Sequence, residues 1–89
     1  MTSDYAKSTT VIDELRAWVR THFDIGSDPD YTDAADLFDL GFVDSFGAVE
    51  IIAHLEETYQ VEITQRDIIV HGMKTLDEIS AVVDAKLAG

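Results

Sequence analysis

Four times along this chain a capping residue stands directly before apolar side chains that recur at helical spacing, and that repetition predicts helices. Thr10 with Asp13 opens a stripe of Val11, Ile12, Leu15, Trp18, Val19 and Phe23, with Arg16 and Arg20 outside it. A helix over about 10–24 follows, stopped by Gly26 and Pro29. Asp44-Ser45 opens a second helix over 45–59. Thr64 with Asp67 opens a short one carrying Ile68, Ile69 and Val70 and ending at His71-Gly72. Thr75 with Glu78 opens the last, striped by Leu76, Ile79, Val82, Val83 and Leu87. Val61-Glu62-Ile63 alternates like a strand, but no second strand exists to pair with it. The expected fold class is all-α: an antiparallel four-helix bundle of three long helices and one short one.

Between the first two helices runs a connection from Gly26 to Val43, rich in Asp28, Asp30, Asp33, Asp36 and Asp39. Long structureless loops are uncommon in compact domains unless functional. Leu37, Phe38, Leu40 and Phe42 predict that this one lies against the core, with one helical turn near 33–38 and a reversal at Gly41. The second helix is apolar on two faces. Ile51, Ile52, Leu55 and Tyr59 suit the core; Phe46, Val49 and Ala53, flanked by Glu50, Glu56 and Glu57, form a stripe suited to a partner.

Length and charge narrow the function. Eighty-nine residues allow one domain, expected over 10–89 behind a flexible polar leader at 1–9. Hydrophobic content of 46% is too high for a disordered acidic tail. Eighteen acidic against six basic side chains give a net charge of −12. Such a surface repels nucleic acid and anionic lipid and attracts proteins with basic patches. Without cysteine there is no disulfide framework and no intrinsic thiol nucleophile. No signal peptide or membrane span is expected, and a cytoplasmic location follows as the default.

Catalysis finds little support. Asp28, Asp30 and Thr32 hint at a calcium loop, but Asp33 and Asp39 stand where glycine and glutamate are needed. His22, His54 and His71 have no ligand spacing, so no metal site is expected. Ser45 has no Gly-x-Ser-x-Gly turn and no marked base. A chain that is not an enzyme is the expectation. A serine in the first turn of a helix is often only a capping residue. It is also well placed to be acted upon, because unpaired amides and the positive dipole end suit a phosphate ester.

The segments Leu40-Gly41-Phe42-Val43-Asp44-Ser45-Phe46, Val49-Glu50-Ile51, Leu55-Glu56-Glu57 and Thr75-Leu76-Asp77-Glu78-Ile79, in this order, resemble the acyl carrier protein family. The likeness spans about residues 10–88. It implies 4′-phosphopantetheine on Ser45, added from coenzyme A by a phosphopantetheinyl transferase, with Asp44 helping that enzyme place its metal ion. It also implies partner docking through Phe42, Phe46, Gly47, Val49, Glu50, Ala53, Glu56 and Glu57.

Two residues, Phe42-Val43, separate Gly41 from Asp44, and Gly47 follows Phe46. Both features are similar to D-alanyl carriers and to free-standing aminoacyl carriers. Glycine costs a helix roughly 1 kcal/mol relative to alanine, which suggests that Gly47 is kept for close approach by a partner. The expected function is therefore to hold an aminoacyl thioester and shuttle it from an adenylating enzyme to an acyltransferase or synthase, in natural-product pathways such as polyketide or antibiotic biosynthesis. The alternatives are a D-alanyl carrier for the cell envelope, a fatty-acid or polyketide carrier sheltering its chain between Leu55, Tyr59, Ile68 and Val82, and an acidic adaptor with unmodified Ser45.

Overall fold

Thr10 Oγ1 accepts the Asp13 amide at 3.3 Å while the Asp13 carboxylate accepts the Thr10 amide at 3.4 Å. This reciprocal cap opens α1, Val11–His22. The computed structural model describes residues 10–88; the leader expected at 1–9 lies outside the described residues. Three helices follow: α2 at Ser45–Tyr59, α3 at Gln65–His71 and α4 at Leu76–Ala88. Among the described residues there is no strand, and the Val61–Ile63 segment is an irregular exit from α2. The all-α bundle of three longer helices and one short one is the architecture expected.

α1 ends before Gly26 and Pro29 are reached. Phe23 caps it and Asp24 turns into the left-handed region at φ 53°, which Asp tolerates better than most residues. The long connection after it is stitched to both neighbours. Tyr31 is buried, donates its hydroxyl to the Arg16 carbonyl at 2.7 Å and lies beneath the Arg20 guanidinium. Asp33 takes a two-pronged contact from Arg16, with both bonds at 2.8 Å. The Arg16 bonds hold the Asp33 carboxyl below the usual carboxylate range.

The helical turn expected near 33–38 forms slightly later: the Leu40 amide donates to the Asp36 carbonyl at 3.1 Å, closing one turn. Asp36 Oδ1 accepts the Phe38 and Asp39 amides at 3.0 Å each and so caps that turn. The Leu37 amide is meanwhile used up on the Lys74 carbonyl at 2.9 Å. Leu37 is fully buried and Phe38 and Phe42 are half-buried, as expected, but Leu40 is exposed on the turn that reverses at Gly41.

α4 is the central element and touches α1, α2 and α3. Its Leu76, Ile79, Val82 and Val83 meet Leu15, Val19, Ile51 and Leu55 in one core. Leu87, expected to continue that stripe, is instead exposed near the helix end. Glu78 and Thr75 cap α4 reciprocally: Thr75 Oγ1 accepts the Glu78 amide at 3.0 Å, and Glu78 Oε1 accepts the Thr75 amide at 3.3 Å.

α3 is held differently. None of its residues is fully buried, and consecutive residues on a helix point about 100° apart. Of its three apolar residues in a row, only Ile68 reaches the core, which leaves Ile69 and Val70 exposed. Its anchor is Asp67, which caps the Thr64 amide at 2.8 Å and meets Lys86 Nζ of α4 at 2.9 Å.

The Thr64 bond first, and the Lys86 contact with it, lower the Asp67 pKa from 3.8 to about 2. A carboxyl depressed on folding adds stability that is present above its unfolded value and lost as pH falls through its folded one. The melting-temperature gap between wild type and Asp67→Asn is therefore expected to be open at about pH 6 and to close between about pH 4 and pH 2. Circular dichroism across that range checks it. A gap that stays constant down to the acid limit contradicts the role of the charge.

Candidate functional site

α2 starts where Asp44 Oδ1 accepts the Gly47 amide at 2.8 Å, so Asp44 is the cap and Ser45 the first helical residue. Ser45 is exposed. Helix geometry leaves the Ser45 and Phe46 amides without intrahelical partners. The first turn holds no acidic side chain, so Asp44 is the one carboxylate immediately beside the serine in sequence. A phosphate ester on Ser45 would meet the positive end of the helix.

Ser45 also borders an apolar cavity of about 270 Å³. One wall is α2, through Ala48, Ile51 and Ile52. The opposite wall comes from Phe38 of the long connection, Ile68 of α3, Met73 after it and Ile79 of α4. Of the four walls expected for a sheltered chain, Ile68 is present and the other three are not. Leu55 and Val82 are fully buried in the core. Tyr59 is half-buried and donates its hydroxyl to Glu14, and burial, then that bond, raise its pKa. The cavity lies nearer the start of α2 than the sequence suggested.

The second stripe of α2 faces outward. Phe46 is 79% and Val49 64% exposed, and Ala53, Glu50 and Glu57 are exposed with them. Three residues expected beside them are placed otherwise. Gly47 is buried: a Cβ there would lie 2.7 Å from Phe23 Cε1 and 3.0 Å from Val43 Cγ1. The close approach that needs glycine comes from within the chain, which removes Gly47 from the docking surface. Glu56 is half-buried and Oε2 accepts the Ile63 amide at 2.9 Å, tying down the exit from α2. Phe42 is half-buried, edge-on to Tyr31 at 5.8 Å between ring centres.

Two surface features escaped the sequence reading. Ile69, 77% exposed, and Val70 add apolar surface on α3. The signal was present: a seven-residue helix cannot turn three consecutive apolar residues inward. The second feature is a stack in which Trp18 lies 4.3 Å from His22 and 3.9 Å from His54 between ring centres. His22 Nε2 is also 3.2 Å from Glu50 Oε1. Burial, ahead of nearby charges, lowers the His54 pKa from its ordinary 6.5.

Among the described residues no three His, Asp or Glu side chains come together to hold a metal ion. Asp28 Oδ1 instead accepts the Asp30 amide at 2.9 Å, and Asp33 is committed to Arg16. No helix among the described residues is long and apolar enough to cross a membrane.

An exposed serine at a helix start, free of first-turn acids, fits a covalently attached phosphate ester. The sequence model of the family described as "Phosphopantetheine attachment site" matches residues 13–83. Comparison with curated proteins and with solved structures gave no match. Domains of this family carry 4′-phosphopantetheine covalently on a serine, placed there by a phosphopantetheinyl transferase, and are generally carriers without catalysis of their own. With most of its length covered by that match, and with four helices and no strand among the described residues, the chain belongs to the phosphopantetheine-attachment family of acyl and peptidyl carrier proteins.

Proposed function

We propose that the chain is a cytoplasmic carrier, without catalysis of its own, that bears phosphopantetheine on Ser45. Its cargo is an aminoacyl thioester passed from an adenylating enzyme to an acyltransferase or synthase of a natural-product pathway. The observation that carries the reading is the position of Ser45: exposed, first in α2, and followed by the outward stripe of Phe46, Val49 and Ala53. The attached group supplies the thiol on which cargo is held. The chain's own residues present that group and are recognised: Asp44 fixes the turn, Phe46 and Val49 offer apolar contact, and Glu50 and Glu57 offer charge to basic partners.

The aminoacyl assignment rests on the Phe42-Val43 spacing between Gly41 and Asp44. Gly47 no longer supports it, because its close neighbour is Phe23. A second reading, an aliphatic acyl cargo, is favoured by the cavity beside Ser45. At about 270 Å³ it exceeds the roughly 150 Å³ of an engineered apolar cavity that takes up benzene. An aminoacyl ammonium would stay outside such a space, since an unpaired charge resists burial.

Incubating the phosphopantetheinylated protein with adenylating enzymes and a panel of amino acids, and weighing the intact product, tests the first reading. Aminoacyl loading is expected. Loading solely by fatty acyl or malonyl donors contradicts it and favours the second.

Docking generates a further expectation. Glu57→Lys is expected to raise the KM of a cognate loading enzyme by about threefold to tenfold at low salt, with the effect fading as salt is added. Glu56→Lys is expected to lower the melting temperature instead, because its carboxylate holds the Ile63 amide. Equal behaviour of the two variants in both measurements contradicts this division of roles.

A further inference from the structure

Gly47 is held from two sides. Its amide is bound by Asp44 at 2.8 Å, and its α-carbon faces the rim of the Phe23 ring. A methyl group there would lie 2.7 Å and 3.1 Å from two ring carbons of Phe23 and 3.0 Å from Val43 Cγ1. Neither neighbour yields easily. The Phe23 ring stands edge-on to Trp18 at 6.1 Å and to His22 at 4.8 Å between ring centres. Val43 is buried, and its amide is bound to the Leu37 carbonyl at 3.1 Å. The end of α1, the end of the long connection and the first turn of α2 thus meet at one position two residues beyond Ser45.

Alanine forms helix better than glycine, so the residue is not there for helix formation. The missing side chain leaves the room that the Phe23 ring occupies. We propose that Phe23 and Gly47 are a pair of positioning residues that sets the pitch of the first turn of α2, and through it the approach of Ser45 to the transferase. The inference rests on the reading that Ser45 is the modified serine. In that transfer the serine oxygen forms a bond to the pantetheine phosphorus and the phosphoanhydride P–O bond of coenzyme A breaks. Adenosine 3′,5′-bisphosphate leaves, and the serine proton goes to a base on the transferase. Attacking and leaving oxygens must lie roughly in line, so a small tilt of the turn is costly.

The test is the rate of phosphopantetheinylation with coenzyme A and a purified transferase, at a temperature where circular dichroism shows every variant fully folded. Gly47→Ala is expected to lower kcat by about tenfold or more with the KM for coenzyme A unchanged. Adding Phe23→Leu, which removes the ring carbons that a methyl would meet, is expected to restore kcat to within about threefold of wild type. Phe23→Leu alone carries the test if Gly47→Ala does not fold. It is expected to lower kcat and to speed hydrogen exchange at the Gly47 amide.

Wild-type kcat in folded Gly47→Ala overturns the proposal, as does a double variant no faster than Gly47→Ala. In the fallback, unchanged kcat in Phe23→Leu does the same. Failure of the parent reading is distinct: wild type itself then takes no label at Ser45.

Discussion

The site depends on one buried residue in the connection that leads into it. Leu37 is fully buried; its amide donates to the Lys74 carbonyl at 2.9 Å, and its own carbonyl accepts the Phe42 and Val43 amides at 2.9 and 3.1 Å. These bonds fold the long connection back on itself and fasten it just ahead of α4. Val43 is thereby placed in the core, and the chain leaves it at Asp44 in the extended conformation that a cap requires. Ser45 is exposed because the residues before it are fixed.

The charge of the chain is arranged around the same frame. Six basic side chains serve a chain of net charge −12, and among the described residues three are engaged within the fold. Arg16 joins Asp13 and Asp33, Lys86 holds Asp67, and Arg20 donates to the Gly26 carbonyl. Cations are thus spent on fastening the connection and α3, while Glu50 and Glu57 remain exposed on α2. Exposed ion pairs contribute little individually. Placement matters more than strength, most plainly at α3, which has no fully buried residue and is tied down through Asp67 by Lys86.

What was legible in the sequence was local. The capping pairs Thr10 with Asp13 and Thr75 with Glu78 span a single turn, and both form as read. The Ile51 and Leu55 face of α2 and the outward stripe of Phe46 and Val49 follow from helical period alone. Most of the features that were misread depend on partners outside their own helix. Gly47 looked like a surface glycine because nothing near it announces the Phe23 ring. Glu56 looked like a docking acid because the Ile63 amide that claims it lies beyond the helix end. The helical turn expected near 33–38 begins at Asp36 instead, whose carboxylate caps it. The cavity is assembled from the long connection, α2, α3 and α4, and no single segment carries its outline.

The carrier role depends on the identity of the modified residue. Wild-type protein and Ser45→Ala, treated with a phosphopantetheinyl transferase and coenzyme A, digested and mapped by mass spectrometry, decide it most directly. One phosphopantetheine on the wild-type peptide that contains Ser45, and none anywhere in Ser45→Ala, is the predicted result. A label on any other residue, or an unlabelled wild-type chain under conditions that modify another member of the family, contradicts it.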